Sequence, residues 1–264
     1  MDLQLNGKLA LVTGSTAGIG FAIAQGLARE GARVIVNGRT EERVNGAIDA
    51  LKKKHGSAEI QGFVGDLSVA DVAAKLTALY ADLDILVNNL GIFEPKPFTE
   101  ITDQEWMHFF EVNVLSGVRL SRFYLPRMLK RDWGRIIFIS SESALHIPAE
   151  MIHYGTTKTA QLAVSRGLAE LTAGSGVTVN AILPGPTASE GVSDFVYRLS
   201  KQSNQSVADF EKQFFEKIRP TSLLKRFAST EEVANLVVYV SSAAASATNG
   251  AALRVDGGVV RTIA

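Results

Sequence analysis

The chain's 264 residues lie near the upper limit for one hydrophobic core, and an α/β fold fills that length. Its 27 basic and 27 acidic side chains cancel, which leaves no positive excess for a nucleic acid and excludes that class of partner. No cysteine is present, so disulfides, thiolate metal sites and a thiol nucleophile are excluded as well.

Residues 1–8 lack the basic-then-apolar order of a secretion signal, and no run approaches the roughly 18 uninterrupted apolar residues of a membrane span. The expected location is therefore cytoplasmic, with no membrane partner. The triplet Asn204-Gln205-Ser206 then reads as a chance match to a glycosylation signal.

In chain order, a strand is expected at 9–12 and a helix at 18–30, where Ile19, Ile23 and Leu27 recur on one face. Between them runs Thr13-Gly14-Ser15-Thr16-Ala17-Gly18-Ile19-Gly20. Glycines at such a turn let backbone approach a pyrophosphate, and the helix N-terminus adds free N–H groups and partial positive charge. It is not a Walker loop, since no Gly-Lys-Ser/Thr follows. The second strand, 33–36, leads into Asn37-Gly38-Arg39-Thr40. A free ribose 2′-hydroxyl asks for an acidic acceptor here, which Gly38 cannot supply, whereas Arg39 can pair with a 2′-phosphate. NADP(H) is the expected cofactor, with NAD(H) as the alternative because Ala17 adds no second basic group.

A helix at 41–55, a strand at 60–64, a helix at 69–81 and a strand at 85–87 follow. One long helix is expected over 103–131, then a strand over 135–139. Lys52-Lys53-Lys54 and the arginines between 127 and 135 read as solvated helix ends, where cations suit the macrodipole. Ser141 falls just past the fifth strand, at the carboxyl edge where such sheets bind ligands. Its hydroxyl suits an oxygen gaining negative charge, although a turn residue is the simpler account of one serine. Glu142 follows directly, with no role assigned. His146, Glu150, Met151 and His153 occupy the next loop. They offer an extra acid or base for a substrate or, more simply, a solvated loop. Glu150 and His153 are too few to hold a metal, and none is expected.

Tyr154-Gly155-Thr156-Thr157-Lys158 opens a helix expected at 152–174. Spacing i, i+4 puts phenol and ammonium on one face. A fixed ammonium favours the phenolate, so Lys158 is expected to lower the Tyr154 pKa and let it exchange protons. A strand at 177–182 precedes Pro184-Gly185-Pro186. Residues 186–219 break the rhythm with Phe195, Tyr197, Phe210, Phe214 and Phe215. They read as a lid that tilts toward an apolar or acyl substrate, or as a surface excursion of two short helices. A helix at 230–242 and a strand at 252–255 close the pattern. Near-continuous apolar strands alternating with helices predict an α/β fold: a doubly wound parallel sheet in three layers. The whole chain, 1–264, reads as a single domain with the lid inserted before the last helix and strand.

Together these residues resemble the short-chain dehydrogenase/reductase family, in its Rossmann-fold branch. The likeness runs from Lys8-Leu9-Ala10-Leu11-Val12 to Asp256-Gly257-Gly258. The glycine turn fits the family's Thr-Gly-x3-Gly-x-Gly. Asn88-Asn89-Leu90-Gly91 fits its Asn-Asn-Ala-Gly, with Leu90 in place of Ala. Asn113, Ser141, Tyr154 and Lys158 fall at its catalytic tetrad. The resemblance implies an oxidoreductase that moves a hydride between a nicotinamide cofactor and a carbonyl or secondary alcohol, such as a ketone or 3-oxoacyl thioester. Tyr154 would give or take the proton, Lys158 would lower its pKa and hold the ribose, and Ser141 would orient the substrate oxygen. Asn113 would hold a water that links Lys158 to solvent.

The same resemblance places cofactor contacts on Gly14, Ser15, Thr16, Gly18, Ile19, Gly20 and Arg39, and on Asp66 and Leu67 at the adenine. Asn89, Gly91, Tyr154, Lys158, Pro184, Gly185, Thr187 and Ser189 complete the set. A homotetramer built on the helices 103–131 and 152–174 is also implied. The competing class is an NADP-binding redox sensor or scaffold without turnover, against which the complete tetrad argues. A hydrolase is excluded, because no Gly-x-Ser-x-Gly elbow exists.

Overall fold

The apolar runs become strands in the computed structural model, in which residues 2–56, 58–190 and 206–263 are described. They are β1 (Leu9–Val12), β2 (Arg33–Gly38), β3 (Ile60–Val64), β4 (Ile85–Asn88), β5 (Gly134–Ile139), β6 (Val177–Pro184) and β7 (Ala252–Val255). All neighbours pair in parallel, in the order β3-β2-β1-β4-β5-β6-β7. The winding reverses between β1 and β4, and the carboxyl ends of those strands border the crevice where such sheets take ligands. Several strands outrun their apolar stretches: Gly38 still pairs with Val64, and Pro184 with Val255.

The described α-helices are α1 (Gly18–Arg29), α2 (Glu41–Lys54), α3 (Ala70–Leu79), α4 (Asp103–Phe110), α5 (Ser116–Lys130), α6 (Ile152–Glu170), α7 (Val207–Gln213) and α8 (Thr230–Val240). Two cores explain why the strands read as unbroken apolar runs. Val12, Val36 and Ile137 enter one core with Ile23 and Leu27 of α1 and Val237 of α8. Leu11, Ile35 and Phe138 enter the other with Leu76 of α3 and Leu120 and Tyr124 of α5. Successive side chains leave opposite faces of a strand, and helices cover both faces.

The helix expected over 103–131 is interrupted. A π-turn at Glu111–Leu115 separates α4 from α5. Such a turn loosens the regular ladder, and two of its carbonyls accept from side chains. Val112 O accepts from Ser116 Oγ at 2.6 Å, and Asn113 O accepts from Gln161 Nε2. Of the segment 186–219, residues 206–219 form α7 and a second π-turn at Phe214–Ile218. Phe195, Tyr197, Asn204 and Gln205 lie outside the described residues.

Of the arginines read as solvated helix ends, Arg127 and Arg131 stand exposed at the end of α5 and Arg135 departs. Arg127 lies over the Phe123 ring, Arg131 binds Asp82 and the Leu83 carbonyl, and Arg135 is 1% exposed. Lys52, Lys53 and Lys54 do stand exposed at the end of α2. Arg135 is held inside by carbonyls that need donors. Its Nε donates to Ser242 O at 3.2 Å, and its Nη1 donates to Gly134 O at 2.8 Å and Gly176 O at 2.9 Å. Arg135→Ala removes all three bonds and is expected to cost about 3 kcal/mol or more. Urea denaturation measures this, and an unchanged midpoint would mean that water replaces the guanidinium without loss.

Candidate active site

β1 ends at Val12 and α1 begins at Gly18, and the turn between them is shaped for an anion. Gly14 (φ 59°) and Gly18 (φ 57°) take left-handed backbone. A Cβ on Gly20 would strike the Gly14 carbonyl oxygen and the Asn89 amide, so only glycine lets the helix come this close. α1 has no side-chain cap and no acidic residue in its first turn, which leaves its N–H groups and positive end open. Thr16 covers Gly38, where an added Cβ would meet its methyl group. Ser15 departs from expectation. It is fully buried, its hydroxyl donates to Val12 O at 2.6 Å and its N–H donates to Asn37 O at 2.9 Å, so no donor remains for a cofactor.

Asn37, which carries no motif, ties three strand ends together. Its Oδ1 accepts from Gly14 N at 3.1 Å, and its Nδ2 donates to Phe63 O at 3.2 Å and Gly65 O at 3.0 Å. Arg39 stands exposed just beyond β2, and no ion pair holds it among the described residues. Arg43, one turn into α2, pairs with Glu190 at 3.2 Å. Asp66 is half-buried, and its Oδ1 accepts from Ser68 N at 2.9 Å and Ser68 Oγ at 2.6 Å ahead of α3. Leu67 is 0% exposed within the second core, so its side chain is withheld from any adenine.

Beyond β4, Asn89 clamps the glycine turn, its Nδ2 donating to Thr13 O at 2.9 Å and Gly14 O at 3.1 Å. Leu90 turns its extra bulk into the second core. Gly91 leaves room for Lys158, since an added Cβ would lie 3.3 Å from Nζ. Lys158 itself is 4% exposed, and its Nζ donates to Ile139 O at 2.9 Å and Gln161 Oε1 at 3.3 Å. Gln161 Nε2 in turn donates to Asn113 O. The Asn113 side chain accepts from Ile92 N at 2.8 Å and donates to Thr157 Oγ1 at 2.9 Å. A side-chain amide thus stands where the family likeness implies a water. No local motif announces Gln161; only its place one turn after Lys158 could have drawn attention to it.

Ser141 caps a short 3-10 turn at Glu142–Ala144, its hydroxyl accepting from Ser143 N at 3.1 Å, and it lines the same cavity as Tyr154. Tyr154 is half-buried near the start of α6. Burial pushes its phenol up to about 12; the Ser141 hydroxyl works against that rise, Glu142 adds to it and Arg219 opposes it. Lys158, expected to lower the phenol, is not among the groups that shift it here. Burial has driven Lys158 itself down to about 7, which removes much of its charge near neutrality. Its Nζ lies 5.6 Å from the Tyr154 ring centroid.

Glu142 now gains a partner. It is 3% exposed and pairs at 3.0 Å with Arg219, itself 6% exposed, and Arg219 also reaches Glu150 at 3.3 Å. Burial raises the Glu142 carboxyl and the guanidinium pulls it back. His153 is withdrawn from the cleft, its ring 4.1 Å from that of Phe109, and burial holds its imidazole below the usual value. It is therefore not an extra acid or base for substrate. His146 is exposed, and among the described residues no three His, Cys, Asp or Glu side chains gather.

One cavity of about 360 Å³ collects most of these groups. Ile19, Asn89, Gly91, Pro184, Gly185, Thr187 and Ser189 line it, together with Ser141, Tyr154 and Lys158. Glu142, Glu150, Met151, Arg219, Phe210, Phe214 and Phe227 also form its wall. Gly185 has to be glycine, since a Cβ would fall 2.5 Å from the Asp256 carbonyl oxygen. Asn113 stands behind Lys158, while Arg39 and Asp66 are not part of the wall. The open α1 terminus and the side-chain-free positions at Gly14, Gly18, Gly91 and Gly185 fit a dinucleotide laid along the switch point.

The family described as short chain dehydrogenase matches residues 8–197. The uncharacterized oxidoreductase YvaG of Bacillus subtilis is 51% identical over 263 residues, covering 100% of both chains. The 3-oxoacyl-[acyl-carrier-protein] reductase FabG of Aquifex aeolicus is 32% identical, covering 98% of this chain and 100% of its own. The crystal structure of L-sorbose reductase from Gluconobacter frateurii, complexed with NADPH and L-sorbose, shares 32% identity and a TM-score of 0.93 over 100% of both chains.

The buried lysine makes a stability prediction. Below about 7 the folded and unfolded chains both hold the proton, and the folded state bears the full desolvation penalty. Between there and the ordinary value of 10.5 only the unfolded chain holds it, so stability rises with pH. Lys158→Met lacks this rise. Wild type is expected to gain on the variant by up to ~1.4 kcal/mol per pH unit across that window in denaturant titrations. Parallel profiles would show that the ammonium is not desolvated.

Proposed function

The chain belongs to the short-chain dehydrogenases, and we propose that it reduces a ketone with NADPH as the hydride source and Tyr154 as the proton donor. One observation carries this reading: Ser141, Tyr154 and Lys158 line the same cavity as Asn89, Gly91, Gly185 and Thr187. A proton-transfer group and a cofactor cradle thereby share one cleft. When bound, the nicotinamide cofactor supplies the hydride. Gly14, Gly18 and the α1 terminus would hold its pyrophosphate, and Gly91, Gly185 and Lys158 would flank its ribose and nicotinamide.

The chain's own groups do the rest. Ser141 donates to the substrate oxygen and fixes it beside the phenol. Tyr154, kept protonated by burial, delivers its proton to that oxygen as negative charge develops there. Gln161 and the Ile139 carbonyl hold Lys158 in place beneath the cleft. A phenol that resists ionisation suits reduction better than alcohol oxidation, which needs a base. Preference for NADPH is supported by the exposed Arg39, by the missing acid at Gly38, and by the NADPH in the L-sorbose reductase complex. The likeness to FabG supports a 3-oxoacyl thioester as substrate, and the likeness to L-sorbose reductase supports a polyhydroxy ketone. A homotetramer and a cytoplasmic location belong to the same proposal, the first testable by analytical ultracentrifugation.

Two measurements test the reading. Tyr154→Phe is expected to lower NADPH consumption against a carbonyl panel by at least ~100-fold while leaving cofactor fluorescence titrations intact. Wild-type binding of NADPH without turnover of any carbonyl would favour the redox-sensor class instead. Arg39→Ala should raise the KM for NADPH by about tenfold or more and leave that for NADH nearly unchanged, because only NADPH carries a 2′-phosphate. Equal changes would remove the case for NADPH.

A further inference from the structure

Glu142, singled out in the sequence without a role, and Glu150 both meet Arg219. Arg219 Nε donates to Glu142 Oε1 at 3.0 Å, and Nη1 donates to Glu150 Oε1 at 3.3 Å and Ile218 O at 3.1 Å. The remaining nitrogen, Nη2, has no hydrogen-bond partner among the described residues, yet it is not sealed from solvent. Arg219 is 6% exposed and lines the cavity that holds Ser141 and Tyr154. A guanidinium nine-tenths buried with donors to spare is built to meet an acceptor.

We propose that Arg219 and its two carboxylates form a specificity subsite that reads a neutral hydroxyl beside the reacting carbonyl and rejects a carboxylate there. The proposal rests on the ketone-reductase reading above. A hydroxyl is both acceptor and donor, so it can take the Nη2 proton and return its own to Glu150, whose Oε2 makes no hydrogen bond among the described residues. Two carboxylates against one guanidinium leave the subsite formally negative by one charge, which opposes an anionic substituent. The subsite adjoins the chemistry: Glu142 directly follows Ser141, and the charges of Glu142 and Arg219 both register on the Tyr154 phenol. Aromatic rings of Phe214 and Phe227 in the same wall then suit the carbon skeleton. A purely structural tie between lid and catalytic loop would need the ion pairs but not the free donors.

Three ketones that share an ethyl group separate the outcomes: 1-hydroxy-2-butanone, 3-pentanone and 2-oxobutanoate. Wild type with NADPH is expected to show kcat/KM at least ~10-fold higher for the hydroxyketone than for either of the others. In Arg219→Met the preference for the hydroxyketone over 3-pentanone should fall to near unity. Glu142→Gln, which keeps the acceptor for Nε and removes one negative charge, should raise 2-oxobutanoate relative to 3-pentanone by several-fold. It serves as a second probe should the methionine variant fold poorly, with NADPH binding as the folding control. No hydroxyl preference in wild type, or an unchanged preference in Arg219→Met that still binds NADPH, overturns the subsite and leaves ketone reduction standing. Failure of wild type to reduce any of the three while it turns over another carbonyl overturns the subsite alone, and no turnover of any carbonyl overturns both.

Discussion

An ammonium taken out of water has to be met by oxygens, and at Lys158 that requirement draws four segments to one point. The Ile139 carbonyl arrives at the end of β5, and Gln161 from the next turn of α6. Asn113 comes from the π-turn through Gln161, and Gly91 after β4 keeps the space around Nζ clear. Among the described residues no carboxylate pairs with this lysine, so its charge is only partly compensated. Burial answers by driving the group toward neutrality. Stability is given up locally for a group whose proton affinity falls near neutral pH, a trade common at functional sites.

The neighbouring phenol obeys the same physics with the opposite charge. Desolvation disfavours phenolate as it disfavours ammonium, so Tyr154 keeps its proton while Lys158 tends to lose one. Both groups move toward their neutral forms, which leaves a donor and a weakened cation side by side. Charge enters this cleft from elsewhere, through the Glu142–Arg219 pair, whose two members act on the phenol in opposite senses. Burial and the Ser141 hydroxyl outrank both, so the phenol is governed mainly by those two. A buried ion pair of this kind is poor evidence for stability, because desolvating both charges offsets much of their attraction. Its place in the cavity wall gives it a different use.

Sequence reading succeeded wherever the signal was local. Parallel strands covered on both faces appear as short apolar runs, and all seven lie where those runs stand. The glycine turn, Asn89, Tyr154 and Lys158 are legible because their spacing reflects a single turn or helix face, and Asn89, Tyr154 and Lys158 line one cavity with Ile19 of that turn. What the sequence leaves unsaid shares a different cause. Ser15 and Leu67 lie within motifs, but the motif does not say which way each side chain points, and both turn inward. Arg135 looked like part of a basic helix end because its carbonyl partners lie as far as 107 positions away. Glu142 and Arg219 are 77 positions apart, and nothing near either residue announces the other.

The π-turn shows why the most consequential feature of the site left no periodic trace. In a regular helix over 103–131, the register of α4 would continue straight into α5. One added residue rotates the downstream half by about 100°, which allows the two halves to bury different faces. Phe109 of α4 packs on His153 of α6, while Leu120, Tyr124 and Met128 of α5 face the second core. Hydrophobic patterning sees only two acceptable amphipathic segments and joins them. The join is where Asn113 lies, and there its carbonyl accepts from a side chain. The same irregularity that lets the helix satisfy two neighbours therefore supplies the polar group that anchors Gln161, and through it the buried lysine.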